Sequence, residues 1–136
     1  MIKDDCIFCK LANGVFETNT VYEDEQFRVI LDAAPATKGH ALILPKNHYA
    51  NIYEIDEQVA ADGMKLAKKL ITDFTDKLGC DGYNIVQNNG EPAGQTVFHF
   101  HMHLIPRYEN DGAGITWTPT EPEADAQKAL CELMKN

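Results

Sequence analysis

Positive charge is scarce in this 136-residue chain: 12 Lys and Arg stand against 21 Asp and Glu, a formal net charge of −9. That balance excludes a broad footprint for nucleic acid or for an anionic membrane, which requires clustered cations, so any phosphate partner must be gripped locally. Cysteine is sparse too. Cys6, Cys9, Cys80 and Cys131 are the whole set, only the first two are close in sequence, and no disulfide framework can be read from them. No window approaches the roughly 18 apolar residues of a membrane span, and the opening residues 1–5 lack the apolar stretch of a signal peptide. These absences point to a soluble protein in a reducing, cytoplasmic setting. Repeats, low-complexity tracts and linker-like stretches are also missing from the first hundred residues, so no internal boundary is drawn there.

What is present suits a single domain spanning 1–136. Hydrophobic residues make up 44% and aromatics 9% of the chain, enough for a core that needs no disulfides at this length. The segment up to Asn13 reads as a short helical turn or loop. Short β-rich runs follow at 20–23, 27–32 and 40–45, with turn material at 34–39, which is the start of an antiparallel meander. From 56 to 78 the apolar positions Ala60, Met64, Ala67, Ile71, Phe74 and Leu78 recur every three or four residues, the stripe of an amphipathic helix, and Gly79 supplies its stop. Strands are expected at 83–87 and 97–107, joined by the turn-rich segment 88–96, and a weakly amphipathic helix at 121–134. This order gives an α+β fold with helices on one face of an antiparallel sheet.

All five histidines are informative by position: His40, His48, His99, His101 and His103. The last three alternate. On a strand, residues two apart share a face, so this spacing directs His99, His101 and His103 one way and Phe98, Phe100, Met102 and Leu104 the other, into apolar packing. The three cannot share one metal ion, because His99 and His103 would stand about 13 Å apart along a strand whereas Zn–N bonds are about 2.0–2.1 Å. The triad therefore divides its labour.

Cys6 and Cys9 have the spacing that lets two thiolates bind one tetrahedral zinc, and His48 with His99 can complete the set while leaving the other histidines for chemistry. A redox Cys-x-x-Cys pair is the competing reading, although the βαβ context it usually has is missing; spacing leaves both open. His101, His103 and His40 remain. A neutral imidazole can attack phosphorus if its other nitrogen donates to a fixed acceptor. The loop 88–96 runs directly into this strand, so its backbone N–H groups, the Gln95 amide and the Thr96 hydroxyl are placed to hold phosphate oxygens.

The run His99-Phe-His-Met-His-Leu-Ile105 resembles the His-φ-His-φ-His-φ-φ signature of the histidine triad family of nucleotide hydrolases and transferases, φ being apolar. The likeness extends to Cys6-Ile-Phe-Cys9, Asp32, Gly39-His40, Leu44-Pro-Lys-Asn-His48 and Gly94-Gln-Thr-Val-Phe-His99, covering residues 6–108. The tail 109–136 is similar to that of short bacterial zinc-containing members. The resemblance implies a five-stranded antiparallel sheet with a long helix and a C-terminal helix, dimerising into one continuous sheet. It makes His101 the nucleophile that attacks the α-phosphorus, with His103, His40 and Thr96 assisting. It places the ribose at Asp32, the base among Phe8, Leu11, Ile30 and Leu42, and the phosphate near Asn88 and Gln95. It also implies a structural zinc on Cys6, Cys9, His48 and His99, with no metal needed for the chemistry.

The expected function is hydrolysis of a purine nucleoside 5′-phosphoramidate or related phosphoanhydride through a nucleotidyl-histidine intermediate. The product is a purine nucleoside monophosphate such as AMP or GMP, and the resemblance supplies a homodimer as the acting form. Thr96 stands where the phosphoramidase branch commonly has serine and resembles the dinucleoside polyphosphate hydrolases, which is the alternative activity. A non-enzymatic purine-nucleotide-binding module is the other.

Overall fold

The computed structural model describes residues 1–135. In chain order the elements are α1 (Ile7–Ala12), β1 (Thr20–Glu23), β2 (Phe27–Leu31), β3 (Ala41–Pro45), α2 (Glu57–Leu78), β4 (Gly82–Val86), one 3₁₀ turn (Glu91–Ala93), β5 (Met102–Arg107) and α3 (Ala124–Met134). The strands form one five-stranded sheet in the order β1-β2-β3-β5-β4, and every neighbouring pair is antiparallel. The expected α+β architecture holds, and it has local causes. Asp24 closes the β1–β2 hairpin by accepting from the N–H groups of Gln26 (2.8 Å) and Phe27 (2.7 Å). Asp56 caps α2 by accepting from the N–H groups of Gln58 and Val59, and Gly79, at φ 65°, ends the helix in the left-handed conformation that glycine takes without steric cost.

The pleat divides the sheet into two faces. Phe27, Val29, Ile43, Met102 and Leu104 pack with Leu66, Ala67 and Leu70 of α2 into the main core. On the opposite face Ile30, Leu42 and Leu44 pack with Ala12, Phe8 and Leu11 from α1. The expectation of helices on one face is thus corrected: α1 is short, but its apolar side chains cover the second face, and that is the face that carries the pocket described below.

Three further differences have physical reasons. The buried stripe of α2 is Gly63, Leu66, Ala67 and Leu70, rotated from the expected one, and Met64 is left 52% exposed. Two neighbouring stripes are apolar, so periodicity alone could not choose between them; the choice is made by the sheet, whose Phe27, Met102 and Leu104 side chains pack against Leu66, Ala67 and Leu70. The last strand begins at Met102, not at 97, and Phe98 lies 50% exposed instead of in the core. Before Met102 the chain is held from the side, by the Phe100 N–H donating to the Tyr49 carbonyl at 2.6 Å. Finally, α3 starts at Ala124 and has no buried residue. Among the described residues no helix is long and apolar enough to cross a membrane.

Because Leu70 is buried in the main core, Leu70→Ala is expected to cost about 2–5 kcal/mol of stability by urea unfolding.

Candidate functional site

A cavity of about 560 Å³ opens on the α1 face of the sheet, lined by Phe8, Leu11, Ile30, Leu42, Asp32, Asn88, Thr96, His101 and His103, and at one end by Glu17, Thr18 and Asn19. Among the described residues lining it there is no Lys or Arg. The sheet register explains why strand residues meet here. Ile30 pairs with Leu42 and Leu42 with His103, so these three side chains share one face.

The hydrogen bonds of the histidines assign their protons. A carbonyl oxygen can only accept, so the 2.6 Å contact from His101 Nδ1 to the His99 carbonyl places the proton on Nδ1 and leaves Nε2 with its lone pair at the cavity. His99 has the opposite tautomer. Its Nε2–H donates to the Pro45 carbonyl at 2.8 Å, so its Nδ1 lone pair faces the two cysteine sulfurs. At His40 the Ala36 N–H donates to Nδ1 at 2.9 Å, which puts the proton on Nε2. That proton is donated to His103 Nδ1 at 2.9 Å, with Asp32 Oδ2 a longer 3.5 Å away. His103 accepts at Nδ1 and consequently carries its own proton on Nε2.

Burial keeps these rings neutral. Desolvation pushes His103 down to about 4, helped by the neighbouring His101 and His40 and opposed by Asp32. It also holds His101 below the ordinary histidine value, against the His99 carbonyl and Asp32, which favour the charged form. His40 is lowered for the same reason, with Asp32 again opposing. Phe8 sits edge-on to the His101 ring at a centroid separation of 4.8 Å and shields it from water.

Asp32, His40 and His103 also bring ligand-type atoms within 4.8 Å of one another. They suit a hydrogen-bond chain better than a cation, because the Ala36 N–H occupies one nitrogen of His40 and the other bears the proton. Cys6, Cys9, His48 and His99 are different. Cys6 Sγ to His99 Nδ1 is 3.5 Å, Cys9 Sγ to His99 Nδ1 is 3.4 Å and Cys9 Sγ to His48 Nδ1 is 3.4 Å. A tetrahedral zinc with ligands at about 2.0–2.3 Å spaces its donors about 3.3–3.8 Å apart, so the cluster has the right size and donor set. Outer support is in place too: the Lys3 N–H donates to Cys9 Sγ, the Cys9 N–H donates to Cys6 Sγ, and the Pro45 carbonyl orients His99. Burial raises the Cys9 thiol, the direction a bound cation would reverse.

The structure redirects two expectations for the loop 88–96. Gln95 is 2% exposed. Its Nε2 donates to the carbonyls of Ala50 and Val97, and its Oε1 accepts from the Gly90 N–H. The side chain is consumed in holding the loop and does not line the cavity. The N–H groups of Ala93, Gly94 and Gln95 likewise donate within the loop, to Gly90 and Glu91 carbonyls, so they do not form a phosphate cradle. Of the polar residues expected there, Asn88 and Thr96 line the cavity. His40 stands behind His103 as its hydrogen-bond partner. Sequence reasoning missed Glu17, Thr18 and Asn19, whose place beside Ile30 depends on the β1–β2 register, and Ala36, which acts through a backbone N–H that no side-chain pattern marks.

The neutral state of His103 makes stability pH-dependent. The unfolded chain binds a proton at His103 near the ordinary histidine value, about 6.5, and the folded chain only near 4, so the contribution is complete above pH 7 and lost as pH falls through that window. Urea midpoints measured from pH 7.5 to 4 are expected to fall steadily, and less steeply in His103→Asn.

Comparison with known proteins agrees with this arrangement. Residues 13–110 match the model of the HIT domain family. The chain is 50% identical over 128 residues to an uncharacterized HIT-like protein of Methanocaldococcus jannaschii, covering 94% of this chain and 98% of that one. It is 40% identical over 128 residues to adenosine 5′-monophosphoramidase hnt1 of Schizosaccharomyces pombe, covering 93% of each. Among solved structures, SMU.412c from Streptococcus mutans superposes with a TM-score of 0.92 at 39% identity, over 98% of this chain and 85% of that one. A Zn-bound histidine triad family protein from Mycobacterium smegmatis does so with a TM-score of 0.77 at 33% identity, over 95% of each. The fold, the ordered imidazoles and these likenesses have one reading: the chain belongs to the histidine triad, or HIT, family.

Proposed function

We propose that this protein is a nucleotide hydrolase that cleaves a purine nucleoside 5′-phosphoramidate, or a related phosphoanhydride, through a nucleotidyl intermediate on His101. The observation that carries the reading is the His101 tautomer: Nδ1–H pinned to a backbone carbonyl and a lone pair on Nε2 at the cavity. In this scheme Nε2 attacks the α-phosphorus, the His101–phosphorus bond forms and the bond to the leaving group breaks. Water then attacks the phosphorus, the bond to His101 breaks and the nucleoside monophosphate departs. His103 Nε2–H and the Thr96 hydroxyl are placed to donate to the phosphoryl oxygens and leaving group, His40 holds the His103 tautomer, and Asn88 adds an amide donor. Asp32 takes the ribose hydroxyls, and Phe8, Leu11, Ile30 and Leu42 take the base. The phosphoramidase name of the fission-yeast relative supports this class.

Dinucleoside polyphosphates are the second reading, favoured by Thr96. The electrostatics argue against it. Among the described residues lining it, the cavity has no Lys or Arg and carries two carboxylates, Glu17 and Asp32, so each additional phosphate brings repulsion.

A structural zinc on Cys6, Cys9, His48 and His99 belongs to the same proposal, supported by the donor spacing and by the zinc-bound relative. It would tie α1 to the end of β3 and to the chain entering β5, taking no part in the reaction. A homodimer does too, supported by β4 lying at a sheet edge with Ile85 42% exposed beside the apolar residues Met64 and Ile71 of α2. The unpaired cysteines suit a cytoplasmic location.

Mononucleotide release from an adenosine or guanosine phosphoramidate is expected to exceed release from a dinucleoside tetraphosphate. His101→Ala should reduce it by at least about a thousandfold with nucleotide affinity nearly unchanged. A faster tetraphosphate reaction would transfer the assignment to the second reading, and binding without turnover on any substrate would leave a nucleotide-binding module. The acid limb of kcat/KM should lie below the ordinary histidine value, with activity falling as Nε2 of His101 is protonated. Cys9→Ser is expected to lose zinc by elemental analysis and to lower the Tm by at least about 5 °C.

A further inference from the structure

The end of the cavity away from the histidines has no part in the chemistry above, yet the sheet places it at a definite distance from them. His103 pairs with Leu42, Leu42 with Ile30, and Ile30 with Thr20, one residue on each of four adjacent strands. Strands lie about 4.8 Å apart, so the β1 rim stands roughly 14 Å from His103. The Leu31 N–H donates to the Asn19 carbonyl at 3.0 Å, which fixes the segment ahead of β1 along that rim, and Glu17 lines the cavity there. Apolar Phe8, Leu11, Ile30 and Leu42 occupy the space between the two ends. On the nucleotide reading given above, a nucleoside monophosphate with its phosphorus at His101 and its ribose at Asp32 would lay its base across these side chains and turn the outer edge of the base toward Glu17. Among the described residues no salt bridge engages Glu17.

We propose that Glu17 reads the edge of the base and selects guanine over adenine; the inference rests on the nucleotide reading of the cavity given above. A carboxylate accepts hydrogen bonds and donates none. Guanine presents N1–H and the N2 amino group side by side, so both oxygens of Glu17 can be engaged at once, as a forked donor engages a carboxylate. Adenine presents its N6 amino group next to the N1 lone pair, and that lone pair repels the second oxygen. Hypoxanthine keeps N1–H and lacks the N2 amino group, so it offers one of guanine's two donors. The neighbouring apolar walls stack on any purine and do not discriminate. Glu17 sits at the exposed rim, where water competes for both partners, so the selectivity is expected to be modest.

The test is calorimetric binding of GMP, IMP and AMP to the wild-type protein, to Glu17→Ala and to Glu17→Gln. Wild type is expected to bind GMP about tenfold more tightly than AMP, with IMP between them. Glu17→Ala should bring all three within about twofold. Glu17→Gln should move the preference toward AMP, because a carboxamide both accepts from the N6 amino group and donates to N1. Equal binding of GMP and AMP by wild type, or an unchanged ratio in Glu17→Ala, would overturn the assignment. Binding is measured apart from turnover, so the two proposals fail separately. A GMP preference that depends on Glu17, in a protein that hydrolyses no phosphoramidate, supports the role of Glu17 and removes the hydrolase reading. No binding of any purine nucleotide removes both.

Discussion

A neutral imidazole has one N–H, and in this protein backbone groups decide which nitrogen carries it. The Pro45 carbonyl takes the Nε2–H of His99, and the His99 carbonyl takes the Nδ1–H of His101, so residues only two apart have opposite tautomers. One turns a lone pair toward two sulfurs and the other toward a cavity. The third case is reversed in sign, since the Ala36 N–H donates to His40 and so sets the proton order through to His103. Backbone groups can do this because they do not titrate; they hold the same polarity at every pH at which the fold survives. Burial completes the arrangement by penalising the charged form, so the assigned tautomers remain neutral ones.

The pleat of the sheet keeps stability and chemistry apart. Alternate residues of β2, β3 and β5 enter the α2 core, and those between them face α1 and the cavity. The two tasks therefore compete little for the same side chains. The cavity can keep a buried polar group such as His101 because its Nδ1–H is satisfied by the His99 carbonyl. Gln95 illustrates the point: three hydrogen bonds to backbone groups, none aimed at the cavity, make the loop 88–96 a fixed wall.

Much of this is legible in the amino-acid sequence, and the reasons are specific. The alternation of His99, His101 and His103 with apolar residues carries the two-face arrangement, because side-chain direction on an extended chain has a period of two. The cysteine spacing carries the helical turn that brings both sulfurs together, and Asp56 and Gly79 mark the bounds of α2. Other features are not legible there. The core stripe of α2 cannot be chosen between two apolar stripes by periodicity alone, since it depends on which side chains the sheet presents to the helix. Gln95 has the chemistry of a ligand-binding residue and the position of a loop brace, and only its partners distinguish these roles. Phe98 fits the alternating pattern but lies 50% exposed, ahead of the Phe100 N–H that the Tyr49 carbonyl anchors.

The amino-acid sequence by itself determined which groups are at hand: three imidazoles spaced for one face, two thiols with two residues between them, a carboxylate at a strand end, and few cations. These are properties of residue type and short-range geometry, which the chain carries whether folded or not. Tertiary structure decided proton positions, distances and neighbours. His40 meets His103, Pro45 meets His99 and Glu17 reaches the cavity rim only because the sheet order and register bring together segments far apart in the chain. Hydrogen-bond partners and burial arise from those long-range contacts, and it is they that fix which nitrogen of each histidine carries the proton and what its lone pair faces.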